Sequence, residues 1–321
     1  MPKIEEIIQG VLVGDRRSIA RAITIIENDA TSAQQLVTSL FPHMGKAHII
    51  GVTGPPGSGK STLIEKIVRQ YRHKGKNVGV IAVDPTSPFT GGAFLGDRIR
   101  MQELSTDEGV FIRSMATRNY QGGVARATLD AVKILDASGK DIIIVETVGA
   151  GQSEVEIVKV AQTIIVICAP GLGDEIQAIK AGIMEIGDIF VVNKADRDNA
   201  EKALMDIQAM LQLDNKERMW NPLVLKTVAL TSKGVSELIE KIEEHRRFIE
   251  KKDEPKRNLE KAEAELIEAI KEKAAKRVIE ELKRQGKFEE YLQEISEKKV
   301  NPANLAEKLL NKKLGNEREK R

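Results

Sequence analysis

Nine consecutive residues, Gly54-Pro55-Pro56-Gly57-Ser58-Gly59-Lys60-Ser61-Thr62, concentrate more chemistry than any other stretch of the chain. They fit the pattern G-x-x-x-x-G-K-[ST], whose glycines let the backbone curl until successive N–H groups face an anion at the start of a helix. Lys60 then reaches the terminal phosphates, and the Ser61 hydroxyl is a hard oxygen suited to magnesium. The ligand class is a nucleoside triphosphate, with Lys60 the first candidate for catalytic charge stabilisation.

A second group, Asn193-Lys194-Ala195-Asp196, narrows the base. A carboxylate at Asp196 can accept from both N1–H and the 2-amino group of guanine, whereas adenine has neither hydrogen and would leave a charge unpaired. Guanine is therefore the expected base. Ser232, Lys233 and Gly234, after a further apolar run, are placed to close over its other side.

Two acids follow apolar runs and so sit where a sheet presents its ligands. Asp84 ends Val78–Val83 and opens a Pro- and Gly-rich loop; with Ser61 and phosphate oxygens it completes a magnesium site, and the loop suits a switch that senses the terminal phosphate. Glu146 ends Asp141–Val145 and opens Glu146-Thr147-Val148-Gly149, where many GTPases have D-x-x-G. Its longer side chain can hold a metal-bound or attacking water, and Gly149 lets a backbone N–H approach the γ-phosphate. The next residue is Ala150, so the glutamine that orients water in Ras-like enzymes is absent from its usual place. Slow intrinsic hydrolysis is the expectation.

The elements that must hold these groups are legible as hydrophobic pattern. Residues 1–45 read as short helices, with Ile4, Ile7, Ile8 and Val11, then Ile19, Ile23 and Ile26, then Leu36, Val37 and Leu40 at helical spacing. Residues 46–250 read as an α/β domain with seven apolar runs, 47–53, 78–83, 109–113, 141–146, 163–169, 188–193 and 223–229. Runs without alternation fit strands covered on both faces, hence a doubly wound, mostly parallel sheet whose order the runs do not give. Residues 251–321 form a highly charged helical arm. In it Leu259, Ala262, Leu266, Ile270, Ala274, Val278 and Leu282 make an apolar stripe on a helix of about 28 residues, and Asn301-Pro302 opens another. Such a stripe needs cover, and dimerisation is favoured over packing within the chain.

Composition excludes several classes. Fifty basic and 48 acidic residues leave a formal charge of +2, so no global field points to nucleic acid or an anionic membrane. No segment is long and apolar enough to span a bilayer, and the first residues carry no signal-type run, so a cytoplasmic protein is expected. The one cysteine, Cys168, lies in an apolar run, and His43, His48, His73 and His245 show no metal-ligand spacing. Each histidine reads as a surface or packing residue.

Taken together, Gly54 to Thr62, Asp84-Pro85-Thr86-Ser87-Pro88, Glu146 to Glu154 and Asn193 to Asp196 resemble the MeaB/ArgK family of P-loop GTPases associated with methylmalonyl-CoA mutase. Pro170-Gly171-Leu172-Gly173-Asp174-Glu175-Ile176-Gln177-Ala178-Ile179-Lys180 resembles that family's additional switch. The resemblance implies a homodimeric GTPase chaperone that gates adenosylcobalamin delivery to the mutase and protects the loaded enzyme, without itself needing to bind cobalamin. It also implies that Asp97 joins Asp84 and Glu146 near magnesium, and that Asp174, Gln177 and Lys180 face the partner. Rival readings are a metallochaperone GTPase, which the scattered histidines disfavour, and an ATPase energising arginine or ornithine uptake, which Asp196 disfavours. A nucleotide fold without activity is at odds with intact Lys60, Ser61 and Asp84.

Overall fold

The computed structural model describes residues 3–85, 102–117, 123–147, 160–171, 183–213, 219–252 and 254–318. Its centre is a seven-stranded sheet, β1 (His48–Thr53), β2 (Val78–Pro85), β3 (Val110–Thr117), β4 (Ile142–Thr147), β5 (Thr163–Cys168), β6 (Ile189–Val192) and β7 (Leu223–Lys226). The order is β3-β2-β4-β1-β5-β6-β7 and every pairing is parallel. All seven apolar runs are strands of this sheet.

Burial on both faces explains why the strands read as unbroken apolar runs. Alternate residues serve opposite faces: Ile50, Val52, Ile142 and Ile144 enter one core, while Ile49, Ile143 and Val145 enter another. The first core is closed by α4 (Lys60–His73), through Leu63, Ile64, Ile67 and Val68, and by α7 (Val235–Lys252), through Val235, Leu238, Ile239 and Ile242. The opposite face is divided. Helix α6 (Ala200–Leu213) covers β5 and β6.

Helices α1 (Ile4–Leu12), α2 (Arg16–Asn28), α3 (Ala30–Leu40) and α5 (Gly123–Ala137) cover the rest of that face. Ile7, Val11, Ile19, Ile23, Leu36 and Leu40 share one core with Ile81 and Ile143, so α1 to α3 form a layer packed on the sheet. Asp136 on α5 fixes this junction by accepting from the N–H groups of Lys46 and Ala47 at 3.1 and 3.0 Å, just before β1. Asp29 separates α2 from α3 by capping the latter, its carboxylate accepting from Thr31 N–H and Ser32 N–H.

The chain divides into two compact units, residues 1–248 and 249–321. In the second, α8 (Glu254–Arg284) packs on α9 (Lys287–Ser296), and α10 (Pro302–Arg318) starts with the Asn301 side chain accepting from Ala303 N–H at 2.9 Å. Proline at its first position follows the expectation from sequence; the intervening helix α9 was not anticipated, although Phe288, Tyr291, Leu292 and Ile295 recur at helical spacing in it.

Candidate functional site

A fully parallel sheet gathers the carboxyl ends of all its strands at one edge. Here β4 lies on one side of β1 and β5 on the other, so the chain departs in opposite directions from either flank of β1 and leaves a crevice where β1 ends. The glycine-rich loop occupies that crevice. Its turn needs glycine in the literal sense: Gly54, Gly57 and Gly59 have φ of 141°, 78° and 92°. A Cβ on Gly54 would lie 2.0 Å from Ile167 O, and one on Gly59 2.4 Å from Asn193 Nδ2. The loop is seated directly on β5 and β6.

Helix α4 starts at Lys60. The Lys60 ammonium arches back to donate to Gly54 O at 2.8 Å and Pro55 O at 3.1 Å, which holds the cation above the loop. One residue on, Ser61 Oγ donates to Glu146 Oε1 at 2.8 Å, both residues being buried. This is a junction between the first turn of α4 and the end of β4, and its hard oxygens fit magnesium. The parallel register sets Ala82 of β2 beside Glu146, so Asp84 lies two places further along the neighbouring strand, at the same edge. Asp97, Gly149, Asp174, Gln177 and Lys180 lie outside the described residues.

Asn193, at the end of β6, joins three segments. Its Nδ2 donates to Ser58 O in the loop at 2.9 Å, and its Oδ1 accepts from Thr227 Oγ1 and from Ala229 N–H, each at 3.1 Å. Lys194 adopts φ 57° and donates from Nζ to Gly57 O at 2.6 Å. Asp196 is exposed beside them. The structure thus brings Asn193 and Lys194 of the second group into contact with Gly57 and Ser58 of the first.

Thr227 and Ala229 are the residues that sequence reasoning passed over in favour of Ser232, Lys233 and Gly234. Those three form the turn behind them. Lys233 O accepts from Val228 N–H at 3.0 Å, Ser232 takes φ 61°, and a Cβ on Gly234 would meet Lys226 O at 2.2 Å. The turn holds Ala229 against Asn193. The sequence signal for Thr227 and Ala229 was only that their run ends at the ligand edge. Cys168, at the end of β5, is buried, which pushes its thiol up to about 12 and leaves it a small apolar side chain.

Comparisons with known proteins repeatedly find one family. Residues 19–283 match the family model described as methylmalonyl Co-A mutase-associated GTPase MeaB. A Pyrococcus abyssi protein with a provisional GTPase name is 49% identical over 315 residues, 97% of each chain. The GTPase ArgK of Escherichia coli is 38% identical over 73% of each chain, and the mitochondrial methylmalonic aciduria type A homolog of Mus musculus is 34% identical over 73% of this chain and 61% of its own. A crystal structure of a LAO/AO transport system kinase superposes with a TM-score of 0.70, at 26% identity and 96% coverage of both chains.

Proposed function

The chain belongs to the MeaB family of GTPases, and from that premise we propose that it couples GTP hydrolysis to adenosylcobalamin delivery, gating the cofactor's entry into methylmalonyl-CoA mutase or a related mutase and protecting the loaded enzyme. Hydrolysis of GTP to GDP and phosphate is the activity of the family and fold. In our reading the curled loop from Gly54 to Thr62 cradles the phosphates, and Lys60 stabilises the charge that develops on the γ-phosphate. Asp196 recognises guanine, with Ser232, Lys233 and Gly234 supporting the far side of the base through the Ala229 segment.

P-loop GTPases of this kind generally use magnesium with the nucleotide. Ser61 and Glu146 would hold it together with Asp84 and Asp97, and bound there it would neutralise charge between the β- and γ-phosphates. Glu146 also orients the attacking water. With Ala150 following Gly149, basal turnover is slow and the partner raises it. Asp174, Gln177 and Lys180 form the surface that meets the mutase. The exposed Leu259, Leu266 and Ile270 of α8 support a homodimer built through the arm. Among the described residues no helix is long and apolar enough to cross a membrane, and we place the protein in the cytoplasm.

The observation that carries this reading is the family match over residues 19–283 combined with the buried Ser61–Glu146 contact at the root of the second switch. GTPase rate measured with and without a cobalamin-dependent mutase tests it. Stimulation and co-elution are expected; neither occurring would overturn the mutase partnership and leave a GTPase of other purpose.

A further inference from the structure

The last registered pair between β1 and β4 is Val52 with Glu146; one residue further, Thr147 stays paired with Val83 of β2 and Thr53 with Val166 of β5. Beyond it β1 runs into the phosphate loop and β4 into the segment that carries Gly149. At that fork two buried hydroxyls meet, Thr147 Oγ1 donating to Thr53 Oγ1 at 3.0 Å. Thr53 immediately precedes Gly54, and Thr147 immediately follows Glu146. Side chains alternate along β4, so Glu146 shares a face with Ile142 and Ile144, under α4, while Thr147 shares the opposite face with Ile143 and Val145. The end of β4 is therefore fastened on both faces, by Glu146 to Ser61 on one and by Thr147 to Thr53 on the other.

The rest of both strands is apolar apart from Glu146 in β4 and, in β1, Gly51 and the first residue His48. Valine has the shape of threonine and would pack there without desolvating a hydroxyl, so packing alone gives no reason for two threonines. A hydrogen bond does, because it adds a directional tie between β1 and β4 one residue past their last backbone pair, where each strand is otherwise held only by its outer neighbour. We propose that Thr53 and Thr147 are a positioning pair for catalysis: their bond fixes the angle at which β4 delivers Glu146 to Ser61, and so sets turnover and magnesium use rather than nucleotide affinity. This rests on the reading of Glu146 as the acid at the metal and water.

The test uses the full-length protein and steady-state GTP hydrolysis. Thr147→Val is expected to lower kcat roughly 5- to 10-fold, the loss of one hydrogen bond's worth of alignment, and to raise the magnesium concentration for half-maximal rate, with GTP and GDP affinities within about twofold of the parent. Thr147→Ser should restore kcat. Thr53→Val, at the other end of the same bond, should reproduce the loss, and the double variant should be no worse than either single one. It also reports independently if one variant fails to fold. Unchanged kcat in a folded Thr147→Val, or losses that multiply in the double variant, overturn the pair. Glu146→Gln separates the two failures: full activity in that variant would overturn the role of Glu146 and the pair with it, whereas an inactive Glu146→Gln beside a fully active Thr147→Val removes only the pair.

Discussion

The two edges of the sheet are built from the same strands and treat polar groups in opposite ways. At the carboxyl edge, Gly54, Gly57, Gly59, Lys194, Ser232 and Gly234 all have positive φ, and side chains such as Asn193 and Lys60 are spent on holding loop carbonyls in place. At the amino edge, polar side chains hold one another. His48 Nε2 and His245 Nδ1 each lie 2.9 Å from Thr163 Oγ1, His245 Nε2 lies 3.5 Å from Asp188 Oδ1, and Asp188 accepts from Ile164 N–H at 2.8 Å. Trp220 leans on the His245 ring at a centroid distance of 4.7 Å and donates from Nε1 to Asp188 O at 3.1 Å. What costs energy is the left-handed backbone of Lys194 and Ser232 at the first edge, of order 1–3 kcal/mol each, whereas positive φ before β1, β2 and β4 falls on Gly45, Gly75 and Gly139, which adopt it freely. The amino edge is a closed network that ties β1, β5, β6 and α7 together. Strain gathered where the loops converge, against polar groups satisfied at the opposite rim, is what separates a working edge from an architectural one.

The largest break in that contrast should come from Lys60→Ala. Removing the cation above the loop is expected to lower GTP turnover by at least ~10²-fold, measured as phosphate release, while the circular dichroism spectrum stays native. Wild-type turnover in this variant would remove Lys60 from the chemistry.

Asp196→Asn sharpens the assignment of the carboxyl edge. It trades a charged acceptor for an amide, so GTP affinity should fall about 10- to 100-fold and discrimination against XTP should relax. Equal GTP affinity in titrations of the two proteins would sink base recognition by Asp196.

The amino edge responds to pH instead. Burial, with the neighbouring charges of Arg246 and His245, pulls His48 down to about 3 from an ordinary 6.5. Because the folded value lies below the unfolded one, the unfolded chain binds the proton first. Stability is then complete above about pH 6.5 and is lost as pH falls toward 3, by ~1.4 kcal/mol per unit from this group. His48→Gln keeps a side chain able to reach Thr163 and cannot titrate. Urea unfolding at pH 7, 6 and 5 should show a shallower decline for the variant, and parallel declines would remove His48 as the cause.

Legibility differed between the edges for a physical reason. The carboxyl edge is assembled from contiguous stretches, Gly54–Thr62 and Asn193–Asp196, whose residue types state their chemistry locally. The amino edge is assembled from single residues far apart in the chain; His48 and His245 read as unrelated until the fold brought them to one hydroxyl. Thr227 and Ala229 escaped notice likewise, being ordinary residues made important by their distance from Asn193. The helices of residues 1–45 were recognisable from their period, but nothing in that period showed that Ile81 and Ile143 would complete their core.

By itself the sequence determined a glycine-rich loop of the P-loop pattern, an acid nominated for guanine, seven apolar runs that form strands and a charged helical arm, because each is written in adjacent residues or in a local period. The tertiary structure alone decided the order β3-β2-β4-β1-β5-β6-β7, the layer formed by α1 to α3, and the meetings of Asn193 with Ser58 and of Thr53 with Thr147. Apolar runs of similar length and composition satisfy many strand orders equally well. Only packing both faces of one sheet at once selects among them, and with that selection comes which distant hydroxyl, amide or carboxylate stands beside the loop.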